Sequence, residues 1–222
     1  MFITLEGVEG SGKTTQIEAI AQFLQDNGHQ VVTTREPGAT LLGKKIRSIL
    51  LDPQNRDISP ICELMLYGAD RAQHITEVIL PALKSGKTVL CDRFFDATVA
   101  YQGFGRGIDL QLIESIYKIV AGNLRSDIPI LKPDLTILFD IDPLIGLKRT
   151  LEALQNGQRD RSETRFEEEH LDFHKRVREG YLKIANIEKW RFFVIDASMS
   201  KQEILKKILE KITAEIIMRQ KK

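Results

Sequence analysis

Five short runs along the chain are almost wholly apolar or β-branched: Phe2–Leu5, Gln30–Thr34, Thr88–Cys91, Leu135–Phe139 and Phe192–Ile195. They do not alternate cleanly between apolar and polar positions, so each predicts a strand buried on both faces, as in a parallel sheet. Between them the period lengthens. Ile17, Ile20, Ala21 and Leu24 recur at i, i+3, i+4 and i+7 and predict a helix that Asn27-Gly28 ends. Leu64–Ile79 reads as a further helix, and Ile204, Leu205, Ile208, Leu209, Ile212 and Ile216 form a closing stripe. Such stripes are core-packing faces. Strands alternating with helices predict an α/β fold, a five-stranded parallel sheet flanked by helices on both faces. The stretch Gln155–Arg165 (QNGQRDRSETR) has no apolar residue and predicts a mobile surface loop. The tail Arg219–Lys222 is expected to fray.

Composition narrows the picture. At 222 residues, 42% hydrophobic and 28% charged, a single globular domain spanning residues 1–222 is expected. Basic residues number 32 and acidic ones 31, a net charge of +1. No overall field draws nucleic acid or a membrane surface, and a bound polyanion must be met by a local cluster. No run of 18 apolar residues occurs, so no membrane span is predicted. A motif already begins at Gly7, which leaves no room for a signal peptide, and Cys62 and Cys91 cannot form a disulfide framework or a four-cysteine metal site. The expected compartment is the reducing cytoplasm.

That motif is Gly7-Val8-Glu9-Gly10-Ser11-Gly12-Lys13-Thr14, a complete G-x-x-x-x-G-K-[ST] between a predicted strand and an amphipathic helix. Glycines let the backbone curl so that successive N–H groups converge on phosphate oxygens, and the helix that follows adds the positive end of its dipole. Lys13 would reach the β- and γ-phosphates, and Thr14 would offer a hydroxyl to Mg²⁺. The motif indicates a nucleoside triphosphate but not the fate of its γ-phosphate. A guanine-nucleotide switch, an ATPase or motor module and a small-molecule kinase all share it. The chain has neither Asn-Lys-x-Asp nor Asp-x-x-Gly, which speaks against the switch. A chain of this length leaves little room for motor surfaces, whereas a kinase needs a second pocket.

Two pairs suggest one. Asp92-Arg93 follows the third strand, where a carboxylate can hold Mg²⁺ and an arginine can bridge phosphates, although a surface ion pair has the same sequence. Tyr67 and Arg71 share a helix face, so a ring can stack on a base while the guanidinium donates to its edge; a packed tyrosine beside a solvated arginine is the plainer alternative.

Taken together, Ile3–Thr15 (ITLEGVEGSGKTT), Thr34–Thr40 (TREPGAT), Ala69–His74 (ADRAQH), Cys91–Phe94 (CDRF), Ala100–Gly107 (AYQGFGRG) and Pro133–Leu138 (PDLTIL) resemble the bacterial-type thymidylate kinase family of P-loop nucleoside monophosphate kinases, in order and approximate spacing. The resemblance spans essentially the whole chain, and Thr-Arg-Glu-Pro-Gly and Ala-Tyr-Gln-Gly are specific to this family. It implies a P-loop NTPase fold and phosphoryl transfer from ATP, with Mg²⁺, to thymidine 5′-monophosphate (dTMP), giving the diphosphate for dTTP synthesis. It also implies a homodimer, with ATP and dTMP as the molecules bound and no nucleic acid or membrane among the partners.

Residue by residue, the resemblance places Gly7, Val8, Glu9, Gly10, Ser11, Gly12, Lys13, Thr14, Thr15 and Arg149 around the donor. Thr14 and Asp92 match the metal positions. Glu9 matches a carboxylate near the sugar 3′-hydroxyl, and Arg47 and Arg93 match the pair that binds the monophosphate. Tyr67 stands where an aromatic, often Phe, stacks on thymine, and Arg71 where an arginine donates to a thymine carbonyl. Thr98 and Gln102 match base contacts, Tyr101 a ring beneath the sugar, and Glu36 the Arg-Glu-Pro-Gly turn, whose peptide before proline is often cis. Lys13, Arg93, Arg159 and Arg161 are the expected catalytic residues, the last two in a lid over about residues 155–165, because the phosphate loop lacks the arginine that one branch of the family places there. Three segments depart from the common pattern: Phe94 for Tyr, Ala97-Thr98 for Ser-Ser, and Gly38-Ala39-Thr40 for Gly-Gly-Thr. Other nucleoside monophosphate kinases, a deoxynucleoside kinase and a non-catalytic P-loop module are the alternatives left by the cradle alone.

Overall fold

The computed structural model describes residues 1–122, 130–158 and 160–220, with only the backbone of Arg161 and Gln220. β1 (Phe2–Glu6), β2 (Val31–Arg35), β3 (Thr88–Asp92), β4 (Leu135–Asp140) and β5 (Phe192–Asp196) form one sheet in the order β2-β3-β1-β4-β5. All four pairings are parallel, and Leu5 stands opposite both Asp92 and Ile137. The chain moves to one side of β1 through β2 and β3, then to the other through β4 and β5. The order therefore reverses at β1, and a ligand crevice opens beyond the carboxyl ends of the strands there.

Every strand runs one residue past its apolar run, ending at Glu6, Arg35, Asp92, Asp140 or Asp196. An apolar pattern stops at the last apolar side chain, whereas the hydrogen-bonded ladder carries on to a charged residue at the crevice edge. β1, β3 and β4 are buried along nearly their whole length, but β2 and β5 are partly exposed. Burial on both faces therefore holds for the central strands and fails at the two edges, which have a neighbour on one side only.

Successive strand residues point to opposite faces. Ile3, Leu5 and Ile137 join a core with Ile20 and Leu24 of α1 (Lys13–Asp26) and Ile208 and Ile212 of α9 (Lys201–Gln220). Phe2, Val89 and Cys91 pack with Ile75, Ile79 and Tyr117 from the segments that follow α2 (Leu41–Leu51). Those segments include α3 (Pro60–His74), α4 (Leu80–Lys84), α5 (Phe95–Thr98) and α6 (Leu110–Ala121). Thr40 caps α2 by accepting from the Gly43 N–H at 2.9 Å, and Ser59 caps α3 with Pro60 in the first turn. The helix expected over Leu64–Ile79 is α-helical only to His74 and widens to a π turn over Ile75–Ile79. Pro81 follows; it has no N–H to give residue 77, and its ring crowds that carbonyl, so the helix loosens just before it.

A second π turn, Val99–Gly105, follows α5 and packs on α8 (Leu171–Ile187). The approach is close enough to demand glycine, since a Cβ on Gly180 would lie 2.6 Å from the Phe104 ring. α7 (Pro143–Gln155) leads into the polar stretch, whose end is not solvated: Thr164 and Arg165 are buried. Of the closing tail, Arg219 is helical and pairs with Asp134 at 2.8 Å; residues 221–222 lie outside the described residues. Among the described residues, no helix is long and apolar enough to cross a membrane.

Candidate active site

Between β1 and α1 the chain curls through Gly7, Gly10 and Gly12, all at positive φ. Gly10 lies against the backbone of Gly146 in α7, where a Cβ on Gly10 would come 2.0 Å from the Gly146 carbonyl oxygen. Lys13 folds back over this loop. Its Nζ donates to the Gly7 carbonyl at 2.9 Å, the Val8 carbonyl at 3.0 Å and Ser11 Oγ at 3.0 Å. Burial, with Arg93 adding to it, pushes the ammonium down to about 8 against the pull of Asp92, Glu9 and Glu6. One residue on, Thr14 Oγ1 donates to Asp92 Oδ2 at 3.0 Å, so the two expected metal positions meet across β1 and β3.

The loop forms one end of a cleft of about 870 Å³. Glu9, Gly10, Ser11, Gly12, Lys13, Thr14, Thr15 and Arg149 line it, as do Glu36, Arg47, Tyr67, Arg71, Asp92, Arg93, Thr98, Tyr101 and Gln102. Gly7 and Val8 do not; they contribute the carbonyls that hold Lys13. Arg159, and the side chain of Arg161, lie outside the described residues.

Arg93 is the one non-glycine residue with positive φ (69°) among the described residues. An L-residue there costs on the order of 1–2 kcal/mol, and the neighbouring peptides are pinned to hold it. The Arg93 N–H donates to the Leu5 carbonyl at 3.0 Å, and the Phe94 N–H donates to buried Glu6 at 2.7 Å. The turn aims the guanidinium at Glu9 Oε1 (3.1 Å) and the Tyr181 hydroxyl (3.2 Å), and sets it 4.9 Å over the Tyr101 ring. Tyr181 in turn donates to Glu6 Oε2 at 2.8 Å.

Glu9 Oε1 also accepts from the Tyr101 hydroxyl at 2.6 Å, and His174 Nδ1 lies 3.3 Å from Oε2. Burial alone would raise the Glu9 carboxyl, but His174, Arg93 and Tyr101 outweigh it and hold the group well below the usual carboxylate range.

On the opposite wall, Arg71 donates through Nε to Glu36 Oε2 at 2.8 Å and through Nη2 to the Phe94 carbonyl at 3.1 Å. Glu36 Oε1 meets His74 Nδ1 at 2.8 Å. Glu36 therefore acts on the cleft through Arg71, with both oxygens engaged, and the Glu36-Pro37 peptide that follows is cis. Arg47 grips Glu163 with Nε and Nη2 at 2.8 and 2.7 Å and donates to the Pro37 carbonyl at 3.0 Å, tying α2 to the polar stretch. Arg149 donates to the Ala197 carbonyl at 3.1 Å. Thr98 Oγ1 is buried with no hydrogen-bond partner among the described residues, and Gln102 donates to Glu63 Oε1 at 2.8 Å.

Glu6, Glu63, His174, Tyr181 and Gly146 were not singled out from sequence. Glu6 carried one signal, a carboxylate at the end of an apolar strand. The others sit in ordinary helical patterns and gain a role only from what packs against them.

The arrangement joins the glycine loop and Lys13 to an arginine-lined wall across β3 within one cleft. A family model for thymidylate kinase matches residues 5–208. The chain is 57% identical over 212 residues to a thymidylate kinase of Desulforapulum autotrophicum, covering 96% of this chain and 90% of that one. It is 48% identical over 217 residues to the thymidylate kinase of Maridesulfovibrio salexigens, covering 97% and 96%. The crystal structure of thymidylate kinase from Ehrlichia chaffeensis superposes with a TM-score of 0.73 at 33% identity, covering 96% of this chain and 98% of that one. Fold, cleft and these likenesses along nearly the full length agree: the chain belongs to the thymidylate kinase family.

Proposed function

We propose that the cleft binds ATP at the Gly7–Thr15 loop and dTMP between Arg71, Arg93 and Tyr101, and that its residues act as follows. The reaction is the family's own: the enzyme transfers the γ-phosphoryl of ATP to dTMP, giving dTDP and ADP for dTTP synthesis. The observation that carries the assignment of roles is the meeting of the cradle (Lys13, Thr14) with Asp92 and Arg93 at adjacent strand ends.

Both substrates are highly charged, so catalysis is chiefly positioning and charge neutralisation. The acceptor phosphate is largely dianionic at neutral pH and needs no strong base. Lys13 holds the β- and γ-oxygens, Arg93 and Arg47 hold the monophosphate, and Glu9 receives the sugar 3′-hydroxyl. Tyr67 stacks on thymine while Arg71, Gln102 and Thr98 meet its polar edge. Thr14 Oγ1 and Asp92 Oδ2 are hard oxygen donors 3.0 Å apart, a set that suits Mg²⁺, which takes few protein ligands and fills its shell from phosphate and water. When bound, the ion neutralises charge on the oxygens of the transferring group. The proposal includes a cytoplasmic homodimer; α3 and α6 pack side by side and expose Ile61, Met65, Leu112 and Ile119.

The test of the reaction is ADP release over a panel of monophosphates. The expected order is dTMP well above dUMP, because the thymine methyl is worth about 1–3 kcal/mol. A preference for a cytidine or purine monophosphate overturns the assignment. In the same assay Tyr101→Ala is expected to narrow the gap in kcat/KM between thymidine and ribothymidine monophosphates. Its ring fills the space beside Glu9, and an unchanged gap moves the deoxyribose filter elsewhere.

Residues 155–165 are assigned as the lid, with Arg159 and Arg161 reaching the transferring phosphoryl. An arginine placed there contributes roughly 10³–10⁵ in rate in related transfers. Single-turnover transfer at saturating substrates is expected to fall by about 10³ in the Arg159→Ala, Arg161→Ala double variant. If the singles and the double all lose less than about tenfold, Lys13, Arg93 and the metal supply the neutralisation alone.

A further inference from the structure

Gln102 lies in the π turn Val99–Gly105, is almost fully buried, and lines the cleft. The two ends of a side-chain amide are alike in shape and opposite in hydrogen bonding, so what each end faces decides its polarity. One end of Gln102 faces Glu63 of α3, whose Oε1 is 2.8 Å from Nε2. Glu63 is fully buried. Its Oε2 accepts from Arg165 Nη2 at 2.7 Å and Arg106 Nη2 at 3.1 Å, and its Oε1 from Arg106 Nε at 3.2 Å. Burial by itself would favour the acid form, but the hydrogen bonds and charge of Arg106, then the charge of Arg165, outweigh it and the carboxyl sits below its ordinary range.

An ionised carboxylate only accepts hydrogen bonds. Turning the Gln102 amide over would set its carbonyl against Glu63 and leave two buried acceptors facing each other, a costly arrangement. The amide therefore has one permitted polarity, with Nε2 on Glu63 and the carbonyl oxygen on the other side.

We propose that Glu63 is a specificity-determining positioning residue: by holding the Gln102 amide in one polarity it makes the cleft select a base that presents a ring N–H beside a carbonyl. The inference rests on the reading of Gln102 and Arg71 as base contacts. A 4-oxopyrimidine offers a donor at N3 next to an acceptor at O4. A 4-aminopyrimidine offers the inverse, an acceptor at N3 next to an amino donor. Arg71 is always a donor and cannot adapt. Gln102 is the member of the pair able to adapt, by turning its amide, and Glu63 removes that freedom.

Glu63→Gln tests this, because a neutral amide both donates and accepts and so permits either polarity of Gln102. The ratio of kcat/KM for dTMP to that for deoxycytidine monophosphate is expected to fall about tenfold or more, and Glu63→Asp, which stays an acceptor, is expected to keep most of it. An equal loss on both substrates, with the ratio intact, overturns the proposal and leaves Glu63 a structural tie. Gln102→Met, close in volume and without polar ends, separates the underlying reading. If it leaves dTMP turnover unchanged, the base contact itself is wrong. If it weakens dTMP while Glu63→Gln spares the ratio, only the role of Glu63 is lost. A measurement on the unmutated enzyme decides the matter should Glu63→Gln not fold. In ¹⁵N-glutamine-labelled protein, the Gln102 side-chain protons, assigned by their loss in Gln102→Met, are expected to exchange slowly with solvent both before and after dTMP binds. Exchange as fast as that of surface glutamines overturns the proposal.

Discussion

Lys13→Ala is expected to lower turnover by about 10³-fold or more without lowering the thermal midpoint at neutral pH. Removing one preorganised donor to developing charge typically costs 10²–10³ in rate, and Lys13 brings a full charge besides. The fold should be spared because Nζ bonds only to its own loop, at Gly7, Val8 and Ser11, and no apolar packing depends on it. Turnover within tenfold of the parent would refute the cradle. The lowered pKa adds a pH signature. With the folded value at about 8 and the ordinary lysine value at 10.5, the free enzyme loses this charge as pH rises through about 8. The kcat/KM for ATP should therefore fall on the alkaline side of about 8. Over the same window the unfolded chain binds more protons than the folded one, so Lys13 makes stability rise with pH between about 8 and 10.5. Parent and Lys13→Ala denaturation curves across that range should converge accordingly.

Arg93→Ala is expected to reduce kcat by on the order of 10²–10³, and Arg93→Lys should not recover it. Lysine keeps the charge but not the planar fork that meets Glu9 and the Tyr181 hydroxyl together. A lysine variant with more than a tenth of the parent rate would show that charge alone suffices. The backbone provides a control. At φ 69° glycine is unstrained and alanine is not. Arg93→Gly should thus be as inactive as Arg93→Ala yet more stable by about 1 kcal/mol, read as a higher thermal midpoint. Equal midpoints would mean that the turn relaxes when the side chain leaves.

How much of this was legible in the sequence depended on how local each cause is. The phosphate loop was legible in full, because its glycines, lysine and threonine stand within one short motif whose spacing can be read directly. The five strands were legible to within one residue at their carboxyl ends, where the ladder outlasts the apolar pattern. Arg165 was misread with its solvated neighbours, since nothing in QNGQRDRSETR announces that a buried carboxylate in α3 awaits it. Arg47 and Glu36 were identified through the family likeness, and Arg71 already from the helix face it shares with Tyr67, but neither the Arg71–Glu36 nor the Arg47–Glu163 pairing was; the latter spans 116 positions. The π turn at Ile75–Ile79 was missed because an apolar stripe does not register a hydrogen bond that Pro81 cannot make.

By itself, then, the sequence determined the sheet, its helical cover, the triphosphate cradle and the family motifs. Each is written in periodicity or in adjacent residues, where local sterics and backbone hydrogen bonding decide the outcome. The tertiary structure alone decided the left-handed turn at Arg93, the buried position of Arg165, the cluster of Glu9 with Tyr101, Arg93 and His174, and the polarity of Gln102. Those depend on desolvation and charge pairing between residues remote in the chain. A buried ionisable group takes its protonation, orientation and role from the neighbours that exclude water around it.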